Sequence, residues 1–225
     1  MSSLQLRALF PACVELCATQ LENDARPELE APLYPEEAEH IARAVPKRLR
    51  EFTLGRTCAR QAMAALGLPP APLPANEDRS VRWPDAVWGS ITHTEGLCAA
   101  VAARRDALRG VGIDAEVRGR VTEKLWEHIA NPAEIRWFRA GGDALTQAER
   151  ATLLFSAKEA FYKAQYCVTR TYVGFHEVTL DFDPSGEFRV TLQNDIASAF
   201  ARGATFAGRY VQLSGHVVTG LVIAH

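Results

Sequence analysis

Apolar residues recur at every third or fourth position in two long stretches, and this spacing predicts two long helices. The first is expected from about Pro46 to Leu66, because proline is favoured in the first turn and Gly67 follows the last apolar position. The second is expected from about Gln147 to Tyr166. Further helical segments are expected within residues 32–45 and 122–139.

Strands are expected where apolar and polar residues alternate or where short apolar runs are bounded by turn residues. At residues 110–117, GVGIDAEV, the apolar side chains face one way, and Asp114 and Glu116 face the other. Residues 67–86 are rich in proline and polar groups and are expected to form a surface loop. The order of helix and strands is similar in the two halves, which is compatible with a pseudo-duplicated α+β architecture. The other expected strands lie at 87–93, 97–105, 178–182, 187–192, 204–213 and 215–225.

Length and composition indicate a globular protein of the cytoplasm. A chain of 225 residues with 48% hydrophobic content can bury a core without disulfides. Its five cysteines are odd in number and include no C-x-x-C pair, which favours reduced thiols. The first 21 residues make a poor signal peptide, and no apolar run reaches the roughly 20 residues of a membrane span.

Charge is unevenly distributed along the chain. The net charge is −2, yet residues 43–60 hold six bases and residues 15–39 hold eight acids. A local basic cluster in a near-neutral protein favours one anionic ligand over an extended nucleic-acid surface. A solvated helix face explains the same cluster.

Asp114 and Glu116 are the first candidates for metal binding. Their carboxylates project from one face of a strand, roughly 7 Å apart. Two neighbouring carboxylates stay ionised most easily with a cation between them, and oxygen ligands favour Mg²⁺ or Mn²⁺. The alternative is an edge strand with two solvated acids.

The second long helix carries a stripe that mixes aromatic side chains with a carboxylate. Glu159 is expected to be a third metal ligand or a general base, with Lys158 and Lys163 facing phosphate. The alternative is an exposed Glu159–Lys163 pair, which contributes only about 0.2–0.5 kcal/mol. The stripe consists of Phe155, Glu159, Tyr162 and Tyr166.

Arg56 interrupts the apolar stripe of the first long helix. A guanidinium facing a core must reach a carboxylate or a phosphate, and the helix alone does not decide between them. His93 lies near Ser90 and Thr92 at a strand end, where hydroxyl, imidazole and backbone N–H groups can bind phosphate. A histidine in such a place is more often structural.

Together these segments resemble the surfactin/enterobactin-type 4′-phosphopantetheinyl transferases. The resemblance runs from about Val45 to Phe175, and the ordered combination of motifs is far more specific than any one of them. The motifs are R-x-x-x-R at 56–60, W-P-D at 83–85, G-S-I-T-H at 89–93, V-G-I-D-A-E at 111–116 and F-S-A-K-E-A-F-Y-K at 155–163.

The resemblance implies a pseudo-dimer of two similar α/β subdomains, residues 1–108 and 109–225, with the active site in the cleft between them. It implies a monomeric enzyme that transfers phosphopantetheine from coenzyme A to a serine of an apo acyl or peptidyl carrier protein, releasing adenosine 3′,5′-bisphosphate. It further implies that Mg²⁺, for which Mn²⁺ can substitute, binds Asp114, Glu116 and Glu159. Glu159 and Lys163 would be catalytic. Coenzyme A would contact Arg48, Arg56, Thr92, His93, Lys158, Phe155, Tyr162 and Tyr172.

One segment departs from the family pattern. Related enzymes often carry a Gly-Lys-x-x-Pro-like stretch before W-P, where this chain has ANEDRSVRWP at 75–84. A lysine contact to a coenzyme phosphate is therefore in question, with Arg79 and Arg82 as possible replacements. Two other classes stay open: a metal-dependent hydrolase of nucleotide pyrophosphates, and a non-catalytic coenzyme A-binding module.

Overall fold

A computed structural model describes residues 3–19, 32–140 and 145–225 of the chain. The acid-rich segment 15–39 therefore lies partly outside the described residues. The N-terminal half contains α1 (Ser3–Arg7), β1 (Val14–Thr19), α2 (Pro35–Ala38), α3 (Pro46–Ala65), β2 (Val87–Thr94) and β3 (Leu97–Arg104). The C-terminal half contains β4 (Gly110–Val117), α4 (Glu123–Ile129), α5 (Pro132–Arg139), α6 (Gln147–Thr169), β5 (Val178–Asp183), β6 (Glu187–Leu192), β7 (Thr205–Gln212) and β8 (His216–Ile223).

Two antiparallel sheets repeat one arrangement of strands. Their orders are β1-β3-β2 and β4-β8-β7-β6-β5. In each half, the strand that comes before the long helix in the chain pairs with the second strand of a hairpin that follows the helix. As a result, β1 lies beside β3, and β4 lies beside β8. The long helices α3 and α6 pack on these same strands. The expected α+β class with two similar subdomains is confirmed, whereas the boundary at residues 108 and 109 stays a prediction.

Small residues bring α6 unusually close to β4. A Cβ atom at Gly112 would lie 1.9 Å from the carbonyl oxygen of Ala160, and one at Gly110 would lie 2.4 Å from that of Ala164. Only glycine therefore allows this packing. The close contact places the acidic positions of β4 next to the polar positions of α6.

Hydroxyl groups join the two halves where β2 meets β4. The amide of Ile113 donates to Ser90 Oγ at 3.2 Å, and the amide of Ala115 donates to Thr92 Oγ1 at 3.1 Å. Side chains of one strand thus satisfy backbone donors of the other, as buried amides require. Because Ala115 follows Asp114, this seam fixes the backbone beside the candidate metal ligand.

Most predicted elements agree with the structure, and one strand was missed. The helix α3 and the strands β2 to β8 occur as expected, and α6 continues three residues beyond Tyr166. The helical segment expected within residues 122–139 is present as two helices, α4 and α5, because Asn131 accepts the amides of residues 133 and 134 and starts a new helix at Pro132. The strand β1 was not predicted. Within the described ranges, no helix has both the length and the hydrophobicity of a membrane span.

Candidate active site

Asp114 lies at the centre of a polar cluster between the two halves. Its side chain is buried, and its Oδ1 atom accepts a hydrogen bond from Lys163 Nζ at 2.6 Å and a longer one from Thr92 Oγ1 at 3.3 Å. Lys163 also donates to the carbonyl of Ile113. The Oδ2 atom is buried and accepts no hydrogen bond from any described residue. A buried carboxylate oxygen without a donor is a position suited to a cation.

Glu116 and Glu159 lie in the electrostatic field of Asp114. Burial raises the pKa of Glu116 to about 7, and the charges of Asp114 and Glu159 add to this rise. Burial also raises the pKa of Glu159, with Lys163 opposing the shift and Asp114 adding to it. Carboxyl groups whose surroundings disfavour ionisation are stabilised most in their charged form by a bound cation.

The three acids fit a hard divalent ion by chemistry, although they are not assembled around one point. Among the residues that the structure describes, no three His, Cys, Asp or Glu side chains form a ready metal cluster. The ammonium of Lys163 contacts Asp114 and neutralises part of the negative charge there. The donor set is nevertheless all oxygen, and the Oδ2 atom of Asp114 has no partner within the described chain. The oxygen donors therefore suit a hard divalent cation.

The raised pKa of Glu116 predicts a pH-dependent gain in stability for Glu116→Gln. In chelator, the folded protein keeps the Glu116 carboxyl protonated above pH 4.5, where the unfolded chain has already released this proton. The free energy of unfolding of the wild type therefore falls as pH rises from about 4.5 to about 7. Glutamine does not titrate, so the variant does not lose this stability. We expect the variant to gain about 1 kcal/mol relative to wild type between pH 5 and pH 8, after allowance for solvent screening. Urea unfolding at both pH values measures this gain, and an equal difference at the two would contradict it.

Arg48 and His93 meet at the entrance of the cleft. Arg48 Nη1 lies 2.9 Å from His93 Nε2, and His93 Nδ1 lies 3.7 Å from Glu51. Because arginine only donates, Nε2 must be the acceptor and the ring is neutral. Burial lowers the pKa of His93, with Glu51 opposing and Arg48 adding to the shift. Arg48 and His93, which were both predicted to bind phosphate, therefore lie next to each other. The sequence did not identify Glu51 as their neighbour.

Arg56 is buried in α3, as its position in the apolar stripe predicts. Its Nε atom donates to the carbonyl of Leu73 at 2.9 Å, and its guanidinium lies 3.9 Å from the ring centre of Phe52. Burial lowers its pKa to about 10. Among the described residues Arg56 forms no ion pair, whereas Arg60 pairs with the buried Glu37 at 2.7 Å. The internal salt bridge considered for this helix therefore belongs to Arg60.

Lys158 forms a buried ion pair within the C-terminal half. Its ammonium donates to Glu134 at 2.9 Å and to the carbonyls of Ile129 and Phe175 at 2.8 Å each. These three acceptors use all three protons of the ammonium inside the protein. The phosphate contact expected for Lys158 stays a prediction. Glu134 was missed, because nothing in its local sequence marks it as buried.

Thr92 is likewise engaged within the protein. Its hydroxyl accepts from Ala115 and directs its single proton to Asp114. The hydroxyl thus supports the metal candidate, and its expected contact with coenzyme A stays a prediction.

Aromatic side chains form a small cavity beside Glu159. Tyr162 lies 6.0 Å from Tyr172 between ring centres, and Phe155 lies 5.5 Å from Phe175. Tyr172 is 75% exposed, so the cavity opens to solvent on that side. The cavity is lined by Lys158, Glu159, Phe161, Tyr162, Tyr172, Val173, Gly174, Phe175 and Val178.

A second cavity of about 320 Å³ lies between the two halves. Trp83 and Trp88 line it from the N-terminal half, and Tyr162, Lys163 and Tyr166 line it from α6. The hydroxyl of Tyr166 donates to Asp78 across the cleft. Arg79 also lines this cavity, and Arg82 lines an adjoining one. The sequence singles out Trp83, Tyr162, Lys163 and Tyr166 through their motif or stripe, whereas Trp88 carries no such signal.

The fold and this cleft define a two-subdomain transferase, and comparison with known proteins identifies its family. A model of the 4′-phosphopantetheinyl transferase N-terminal domain matches residues 36–103, and a model of the 4′-phosphopantetheinyl transferase superfamily matches residues 110–219. The chain belongs to this superfamily. It is an enzyme that transfers the 4′-phosphopantetheine group to carrier proteins.

Individual relatives agree over most of the chain. The 4′-phosphopantetheinyl transferase Svp of Streptomyces mobaraensis is 39% identical over 205 residues, which cover 90% of this chain and 83% of the relative. The 4′-phosphopantetheinyl transferase PptT of Mycobacterium tuberculosis is 37% identical over 225 residues, covering 96% of each chain. Enterobactin synthase component D of Escherichia coli O157:H7 is 35% identical over 118 residues, covering 52% of this chain and 55% of the relative.

Proposed function

We propose that this enzyme takes 4′-phosphopantetheine from coenzyme A and attaches it to a serine of an apo acyl or peptidyl carrier protein, using Mg²⁺ held by Asp114, Glu116 and Glu159. The observation that supports this most directly is the Oδ2 atom of Asp114, buried without a donor among the described residues. The raised pKa values of Glu116 and Glu159 also support a bound cation beside Asp114. Mn²⁺ has the same preference for oxygen ligands and is expected to substitute.

Coenzyme A is proposed to lie in the cleft between the halves. Arg48, Arg56 and His93 would hold its phosphates from the N-terminal half, where Arg48 Nη1 and His93 Nε2 already lie 2.9 Å apart. The aromatic cavity beside Glu159 offers apolar contacts to the methyl and methylene groups of the pantetheine arm. Tyr162 lines both cavities, so one ligand can extend from one into the other.

The transfer itself needs a base and a cation close together. A bound divalent ion would neutralise charge on the pyrophosphate of the coenzyme. Glu159 would take the proton of the carrier serine, directly or through a water molecule, and burial, which raises its pKa, makes its carboxylate a stronger base. Lys163, which now contacts Asp114, would stabilise the phosphate oxygens once the coenzyme is bound.

One experiment tests the proposed reaction against its alternatives. The protein is incubated with coenzyme A, Mg²⁺ and an apo carrier, and both the carrier mass and the released nucleotide are measured. We expect a carrier that gains one phosphopantetheine group and an equal amount of adenosine 3′,5′-bisphosphate. Release of phosphopantetheine to water without a modified carrier would indicate a hydrolase. Binding without turnover would indicate a non-catalytic module. The monomeric state and the cytoplasmic location stay predictions.

A further inference from the structure

Glu134 and Lys158 form an ion pair in the interior of the C-terminal half. Lys158 Nζ lies 2.9 Å from Glu134 Oε2, and the two side chains are 1% and 4% exposed. Removing two charges from water is costly, so a buried pair persists only where its other hydrogen bonds are made. The carboxylate of Glu134 also accepts the amides of Asn131 at 2.9 Å and Leu180 at 3.0 Å. The pair therefore joins the start of α5, the middle of α6 and β5.

The two remaining contacts of Lys158 reach the wall of the aromatic cavity. Lys158 donates to the carbonyls of Ile129 and Phe175, and Phe175 lines the cavity that also contains Glu159. Lys158 and Glu159 are neighbours in α6, so the ion pair lies one residue from the proposed base. A shift of either ion would move the cavity wall and the glutamate together.

We propose that Glu134 and Lys158 are positioning residues that fix the wall of the pantetheine cavity and the orientation of Glu159 without contacting coenzyme A. This inference rests on the proposed coenzyme A site. It gives Lys158 a different role from the phosphate contact that its place in the motif predicts. The two roles differ in one measurable way, because a positioning pair acts as a unit whereas a phosphate contact depends on Lys158 alone.

A double-mutant cycle separates the two roles. Coenzyme A binding and adenosine 3′,5′-bisphosphate binding are measured by calorimetry for wild type, Glu134→Gln, Lys158→Gln and the double variant. Each single variant leaves one buried charge without its partner, and we expect coenzyme A affinity to fall about tenfold. The double variant has no lone charge and keeps a hydrogen-bonding pair, so its affinity is expected within about threefold of wild type.

The nucleotide product provides the readout that a general loss of structure would not give. Adenosine 3′,5′-bisphosphate lacks the pantetheine arm, so we expect its affinity to change by less than about twofold in all four proteins. If a single variant fails to fold, the double variant still decides the question. A double variant as weak as Lys158→Gln, or far weaker than wild type, would overturn the proposal in favour of a direct phosphate contact. Equal coenzyme A affinity in four folded proteins would overturn it as well.

A surface pair nearby provides the matched control. Arg139 and Glu123 lie 3.0 Å apart on α5 and α4, with side chains 60% and 71% exposed. The same cycle with Arg139→Gln and Glu123→Gln is expected to leave both affinities unchanged. Wild-type protein that does not bind coenzyme A would contradict the proposed function itself, which keeps that failure distinct from failure of the positioning pair.

Discussion

Asp114→Asn is expected to slow carrier modification at least about 100-fold while the protein stays folded. Asparagine keeps the size of the side chain and can still accept from Lys163, but it removes the charge from the most buried of the three acids. A divalent ion would then lose its innermost charged ligand. Carrier mass as a function of time measures the rate, and a thermal melt in chelator reports the fold.

The other two carboxylates and the metal itself extend this test. Glu116→Gln and Glu159→Gln are expected to reduce transfer strongly for the same reason. Chelator should abolish wild-type transfer, and Mg²⁺ or Mn²⁺ should restore it, whereas Ca²⁺ should do so poorly because it prefers longer bonds and more ligands. Asp181→Asn, which changes an exposed carboxylate on β5, is the matched control. Wild-type rates for Asp114→Asn, or transfer that survives chelation, would show that the acids do not bind a catalytic metal.

Arg56→Ala is expected to weaken coenzyme A binding tenfold to a hundredfold relative to Arg50→Ala. Both residues belong to α3, but Arg56 is buried, with 6% exposure, and Arg50 faces solvent. A charge-assisted contact to phosphate contributes about 1.5–3 kcal/mol. Because Arg56 is held by Leu73 and lies over Phe52, its guanidinium needs little reorganisation to bind the coenzyme.

A stability effect has to be separated from this loss of affinity. Truncation of Arg56 leaves the carbonyl of Leu73 without its donor, so the melting temperature is expected to fall as well. Calorimetry on the folded fraction, well below the melting transition, measures binding alone. Arg56→Lys keeps a charge but cannot reproduce the geometry, and an intermediate affinity is expected. Equal coenzyme A affinity for Arg56→Ala and Arg50→Ala would remove Arg56 from the phosphate site.

The sequence predicted the long helices, most of the strands and the residues of the central cluster, because each of these leaves a local signal. Asp114 and Glu116 interrupt an apolar alternation, Glu159 interrupts an aromatic stripe, and Arg56 interrupts the core stripe of α3. A polar residue in an apolar periodicity is informative because burial of an unpaired charge is costly. The sequence also contains Gly110 and Gly112, which allow the close contact between β4 and α6.

Only the tertiary structure decided which partner each charged side chain has. Arg60 shares a motif with Arg56, and Lys158 shares one with Lys163, so the sequence does not distinguish the members of either pair. In the structure, Arg60 pairs with Glu37, and Lys158 pairs with Glu134. These partners are 23 and 24 residues away in the chain, so no local sequence pattern predicts the pairing. An ion pair is set by distance in space and by the exclusion of water, and both arise only when the chain has folded. That is why the sequence by itself identified the charged residues, whereas only the fold showed which of them pair with each other inside the protein.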